Sequence, residues 1–260
     1  MKIGACTNFE NLETAAALGY DYIEIALNWL AGLEDDAYEA IASRVSSFSI
    51  PVAKANCFLP GTLKVTGPDV DENAIDAYLE KAFARANRLG ISVVVFGSGG
   101  ARNVPEGWPY ARAWQQLAHF LTKTGPVAQK YGITVVIEPL RREECNIMNL
   151  VSEATLMAAL VDHPNIQVLG DTHHMLFCHD PWDSLTKAGT MLKHIHVSHT
   201  LEDRSNRIYP QPGQITPCDE VIQVLKDMHY EGDISVEASC KDFAKDAAEV
   251  VALLRPMINQ

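Results

Sequence analysis

The sequence predicts an α/β protein, a single-domain (β/α)8 TIM barrel over residues 1–260, and three observations predict it. Short apolar runs alternate with helical stretches from end to end, with no linker and no shift in composition. The length, 260 residues, is that of one such barrel and is enough to bury a large core. Four successive runs of the second half end in Glu138, Asp171, His196 and Glu237. Parallel strands in a closed sheet bring their C-terminal ends to one mouth, where barrels of this kind carry their chemistry. A doubly wound open sheet is the competing fold. It carries its glycine-rich turn after the first strand, whereas here that turn follows the fourth.

The elements follow in order. Lys2–Cys6 reads as a strand, and Leu12, Ala15, Ala16 and Leu18 give a helical stripe that stops at Gly19. Asp21–Ala26 is the second strand and Glu34–Phe48 a helix; Pro51–Cys57 is the third strand, and Asp71–Leu89 a charged, Ala-rich helix closed by Gly90. Ile91–Phe96 is the fourth strand. The loop Gly97–Arg102 follows, then a long helix ending near Lys130. Strand five runs from Gly132 to Glu138, where Pro139 stops it, and Ser152-Glu153 opens a helix to Val161. Strand six is Ile166–Asp171, a short helix lies in Pro181–Met191, and strand seven, Lys193–Val197, centres on His196. After a long polar loop, Thr200–Pro217, come a helix at Cys218–Met228, strand eight at Asp233–Glu237 and a closing helix at Asp242–Met257.

Composition excludes several functions. With 33 Asp and Glu against 21 Lys and Arg, the net charge is −12, and no dense basic cluster offsets it. Nucleic-acid binding, which draws on neutralised phosphates, is therefore not expected. No apolar run reaches the length of a membrane span. Met1-Lys-Ile-Gly leads straight into a strand, so no signal peptide is expected. The six cysteines show no C-x-x-C spacing and read as reduced thiols of a cytoplasmic protein.

Alone, a glutamate after a strand is usually a solvated loop residue, and a histidine inside an apolar run is usually a bonded core residue. Four such residues on four consecutive strands are a different matter. Three carboxylates and one imidazole make a mixed O/N donor set for one divalent cation. Mn²⁺ is the first choice, Mg²⁺, Co²⁺ and Fe²⁺ are alternatives, and Zn²⁺ is left open.

These residues sit in strings that resemble a known family: I-E-P at 137–139, G-D-T-H-H at 170–174, H-I-H-V at 194–197 and V-E-A at 236–238. They are similar to the metal-ligand strands of the xylose-isomerase-like barrels, the sugar and sugar-phosphate isomerases and epimerases. The likeness spans the chain, including D-Y-I-E-I at 21–25 and F-G-S-G-G at 96–100. It is nearest to the ketose 3-epimerases of tagatose and psicose type, whose pattern Glu144, Asn149 and His174 also match. The resemblance implies a metal held by Glu138, Asp171, His196 and Glu237, with Glu138 and Glu237 doubling as acid and base through an enediolate. It implies substrate contacts from His174 and Glu144, and a homodimer or homotetramer. The arginine expected six residues after the strand-seven histidine is Glu202 here, so Arg204 is taken as its substitute.

Lesser features admit two readings. Gly97–Arg102 offers backbone N–H groups and a guanidinium to a substrate anion, or is simply a tight turn. Of Trp29, Phe58, Trp108 and Trp182, Trp108 is chosen as the aromatic that stacks on substrate. His194 is assigned to orienting His196. Glu24 is either a supporting acid or a partner of Lys54. The substrate expected is a small sugar or sugar phosphate. The alternative activity is a metal-dependent lyase or dehydratase on a keto-sugar or keto-inositol. An apurinic-site endonuclease would need more ligands and a basic face, and a non-catalytic barrel would have no reason to keep all four ligands.

Overall fold

The computed structural model describes residues 1–201, 206–213 and 218–259. Eight parallel strands close into one barrel: β1 (Ile3–Cys6), β2 (Tyr22–Ala26), β3 (Val52–Asn56), β4 (Val93–Phe96), β5 (Thr134–Ile137), β6 (Ile166–Asp171), β7 (Leu192–Val197) and β8 (Asp233–Val236). Each pairs with its neighbours in sequence, and β8 closes on β1 through Ile3 opposite Ile234. The strands are four to six residues long. Their outward side chains (Ile3, Ile23, Ile25, Val94, Val135, Ile137, Ile195, Ile234) pack under the helices as one continuous core. Nearly unbroken Val and Ile runs are what strands covered on both faces require.

The longest helices, Glu72–Arg88 and Tyr110–Lys130, have the expected amphipathic pattern. Asp71 caps the first, accepting from the N–H groups of Asn73 and Ala74 at 3.0 Å. Expected and observed boundaries differ in five places. The helix expected over Glu34–Phe48 ends at Ala42 and gives way to a short 3-10 turn, and Leu27–Gly32 forms a helix of its own. A helix at Thr172–Cys178 follows β6 directly, because the Asp171 carboxylate accepts from the His174 N–H at 3.0 Å and so starts it. The closing helix is broken into Phe243–Asp246 and Val250–Asn259. The long loop after β7 contains a small antiparallel hairpin, His199–Thr200 against Arg207–Ile208.

The barrel interior is divided. Towards β4, β5 and β6 it is apolar, filled by Val93, Val95, Val136 and Leu169. Towards β1, β2, β3, β7 and β8 it is polar, with Tyr22, Glu24, Lys54, His194, His196 and Ser235 all buried. Lys54 pairs with Asp233 at 3.1 Å and lies over the Tyr22 ring. The Lys54–Glu24 pairing considered from sequence is thus not formed, although the two are register neighbours. Gly4 makes room for Tyr22: a Cβ there would meet the ring at 2.1 Å, and the phenol is held by the Ile234 carbonyl and Ser235. Among the described residues no helix is long and apolar enough to cross a membrane.

Gly4→Ala should therefore cost about 1–3 kcal/mol, the usual penalty of overpacking, read from the urea midpoint. Gly32→Ala, where a Cβ meets nothing within 4 Å, should change it little. Equal effects would show that Gly4 is not a close approach.

Candidate metal centre

Glu138 and Glu237 stand one residue beyond β5 and β8. Each is fixed by its own amide: Glu138 N–H donates to the Phe96 carbonyl at 3.2 Å, and Glu237 N–H to that of Val197 at 3.0 Å. Asp171 and His196 are register partners at the ends of β6 and β7. One donor atom from each of Glu138, Asp171, His196 and Glu237 lies within 4.8 Å of the others. His196 Nδ1 is the hub, 2.9 Å from Glu237 Oε2, 3.2 Å from Glu138 Oε1 and 3.7 Å from Asp171 Oδ2.

These residues suit a divalent cation. Four hard or borderline donors converge from four strands. Glu237 Oε2 is buried and makes no well-aligned hydrogen bond, despite lying 2.9 Å from both His196 Nδ1 and Arg207 Nη2. That orphaned oxygen has the surroundings of a ligand atom.

The other edge of His196 is occupied. Its Nε2 lies 2.9 Å from Glu24 Oε1, while Glu24 Oε2 is 2.9 Å from His194 Nε2 and accepts from Ser235 Oγ at 2.7 Å. All four of these residues are fully buried. With Nε2–H committed to Glu24, Nδ1 is left to face the centre. Glu24 is thus the supporting acid, and His194 both holds Glu24 and packs edge-on against the His196 ring, centroids 5.0 Å apart. Burial opposes charge on His196, but Glu24 and Glu237 prevail and hold its pKa well above the ordinary imidazole value.

The two glutamates differ electrostatically. Burial, with Glu237 adding to it, raises the Glu138 pKa against the pull of His196. At Glu237 burial is outweighed by Arg207 and His196, and the pKa falls below the usual carboxylate range. Asp171 is held lower still, Arg207 and His174 overcoming its burial.

The structure answers the other sequence expectations individually. His174 is buried beside Asp171; its Nδ1 accepts from the Arg141 N–H at 3.2 Å, which leaves Nε2 as the donor nitrogen. Glu144 is half-exposed and accepts from Arg141 Nε at 2.6 Å. Asn149 pins the loop after β5, donating to the carbonyls of Leu140 and Cys145 at 2.6 Å. Trp108 donates its indole N–H to Gln116 and is covered by Arg112, and no contact among the described residues joins it to the four ligands. Arg102 corrects the anion-loop reading. It is fully buried and donates to the carbonyls of Phe96 and Glu138 at 2.9 and 2.6 Å, so no substrate reaches it. Gly97 is needed for close approach, since a Cβ there would meet Glu138 Oε2 at 2.3 Å. Arg204 lies outside the described residues.

Sequence reasoning missed Arg207. On the outer strand of the hairpin, it sets Nη1 2.8 Å from Asp171 Oδ2 and Nη2 2.9 Å from Glu237 Oε2. The signal was available: two short β-prone pieces flank this part of the loop, and pairing them places Arg207 over the mouth.

The family model described as xylose isomerase-like TIM barrel matches residues 12–257. The chain belongs to this family. Among relatives of this xylose isomerase-like barrel, D-psicose 3-epimerase of Ruminiclostridium cellulolyticum is 27% identical over 242 residues, covering 87% of this chain and 76% of the relative. A crystal structure of a D-psicose 3-epimerase in the presence of D-fructose superposes with a TM-score of 0.86 at 22% identity, over 100% of both chains. The IOLI protein with a binding zinc atom gives a TM-score of 0.73 at 20% identity, over 99% of this chain and 96% of that one.

Two outcomes test the centre. A metal-ligating imidazole must have Nδ1 free of its proton, whereas Glu24 and Glu237 favour the protonated form in the metal-free protein. Mn²⁺ binding should therefore release about one proton in calorimetry across buffers, and affinity should fall as pH drops. Binding with no proton release would contradict the His196 assignment. Glu24→Gln should weaken Mn²⁺ binding by about 10–100-fold with the circular dichroism unchanged; wild-type affinity would remove Glu24 from the centre.

Proposed function

We propose that this barrel is a divalent-metal-dependent epimerase or isomerase of a small ketose, with Glu138 and Glu237 as the acid/base pair. One observation carries the reading. Two carboxylates, Glu138 from the end of β5 and Glu237 from the end of β8, bring oxygens into one donor cluster with Asp171 and His196, so an acid and a base can stand at one cation position. The names of the relatives, D-psicose 3-epimerase and L-ribulose 3-epimerase of Methylomonas, support the same reaction class.

Glu138, Asp171, His196 and Glu237 would hold the ion, which when bound supplies Lewis acidity to the substrate carbonyl and its neighbouring hydroxyl. The protein's residues do the rest. Glu237, ionised beside Arg207, takes the α-proton of the ketose from one face. Glu138 returns a proton, taken up from solvent or a substrate hydroxyl, to the opposite face, and the centre inverts. In the reverse direction the roles exchange. Arg207, bound to both Asp171 and Glu237, holds the second carboxylate still and presents its remaining N–H groups to a substrate oxygen. His174 Nε2–H donates to the oxygen that gains charge, and its Nδ1 is locked by the Arg141 amide, so the donor does not switch. Glu144, tied to Arg141, keeps that amide in place. Mn²⁺ is the ion we assign first.

Ketoses incubated with Mn²⁺-loaded protein in D₂O should gain one deuterium at the epimerised carbon, with mass otherwise unchanged; a dehydratase would release water. Glu237→Gln and Glu138→Gln should each reduce exchange by at least about 10³-fold, an allowance built from a 10²–10⁴-fold acid/base contribution, while both variants remain folded. Near-wild-type exchange in either variant would remove that residue from proton transfer.

A further inference from the structure

Opposite β5 in the ring, a cavity of about 480 Å³ opens at the ends of β1, β2, β3 and β8. Cys6, Asn8, Trp29 and Asn56 line it, and its inner end is Glu24 and Glu237. It shares Glu237 with the metal centre, so a molecule held there by its reacting carbons extends into this space. The volume falls in the ~300–1,000 Å³ range of sites that enclose whole drug-sized ligands, and most of the metal centre lies outside it. A bare ketohexose, whose reacting carbons stay at the centre, leaves most of it unfilled.

The lining has a definite chemistry. The side-chain amides of Asn8 and Asn56 make no hydrogen bond to a described residue. Each offers a donor and an acceptor together, the complement of a hydroxyl. Trp29 is 44% exposed, with Phe9 packed 5.8 Å from it, and presents an aromatic face of the kind that sugar C–H faces cover. Among the described residues no Lys, Arg or His lines the cavity, whereas two carboxylates do. Lys241 and Lys245 line a separate cavity with Ile208 and Tyr209, behind the strand that carries Arg207. Among the described lining residues a phosphate in the first cavity would meet two carboxylates and no cation, Arg207 being already paired with Glu237 and Asp171.

We infer that this cavity is a substrate subsite for a neutral, hydroxyl-bearing group, and that the substrate is a ketose extended at its far end by a glycosyl-type unit, not a sugar phosphate. The inference rests on the epimerase reading and adds the substrate class to it. Asn8 and Asn56 bond the hydroxyls of the extension, and Trp29 carries its apolar face.

The test uses the Mn²⁺-loaded full chain with three probes: fructose, fructose 6-phosphate and isomaltulose, a fructose bearing glucose on O6. Binding is read by calorimetry and chemistry by deuterium exchange. Isomaltulose should bind at least tenfold more tightly than fructose, and fructose 6-phosphate at least tenfold more weakly. Asn56→Ala and Trp29→Ala should raise KM for isomaltulose at least fivefold, with the loss in KM and not in kcat. Exchange with fructose but a flat or phosphate-favouring order of binding overturns the subsite alone. The expected order of binding without exchange from any probe overturns the epimerase reading alone. Neither binding nor exchange overturns both.

Discussion

Three carboxylates cannot share one buried mouth without positive charge among them. Glu138, Asp171 and Glu237 bring oxygens within 4.8 Å of one another, with Asp171 and Glu138 almost wholly covered. Burial alone penalises each negative charge, and proximity adds to the penalty. In the metal-free protein the compensation comes from Arg207 and from the charge that the surrounding carboxylates favour on His196. A divalent cation held by all four donors would answer the same constraint, and it would need His196 Nδ1 free of its proton, which would link metal affinity to acidity.

That constraint explains the divided barrel. Where β4, β5 and β6 meet inside, packing alone is required, and valine and leucine supply it. Where β7 and β8 carry ligands, the interior must fix the edge of an imidazole, and an apolar filling has no acceptor to offer. Glu24 supplies the acceptor, Ser235 and His194 hold Glu24, and Tyr22 over Gly4 holds Ser235. The chain of contacts runs from the metal centre down towards the Lys54–Asp233 pair at the far end of the strands. Local sequence that looks weak for a strand core, with Glu, Lys and His in place of Val, thus serves the site. Folding stability and ligand geometry are set by the same side chains here.

The barrel was legible because its strands are short, apolar and regularly spaced, and the convergence of Glu138, Asp171, His196 and Glu237 because each of four runs ends in a donor at the same end. What the sequence hid depends on contacts between distant residues. Glu24 has the position of a ligand on a strand that does not pair with β7, and only its side-chain contacts across the barrel interior to His194 and His196 show that it holds an imidazole instead. Arg102 looked like an anion-binding group because glycines precede it, yet its side chain turns inward to two carbonyls. Arg207 escaped notice because spacing along a loop says little once the loop folds back as a hairpin. Trp108 was preferred to Trp29 from sequence, but Trp29 lines the cavity at the mouth while Trp108 packs on Gln116 and Arg112.

The central claim is that one ion is held by Glu138, Asp171, His196 and Glu237 together. Diffraction from crystals soaked in Mn²⁺, collected with anomalous scattering, tests it directly. The account predicts one anomalous peak at the mouth, about 2.0–2.3 Å from an atom of each of the four residues, with His196 bound through Nδ1. A peak bound elsewhere, or bound through His196 Nε2 with Glu24 as a ligand, would contradict it.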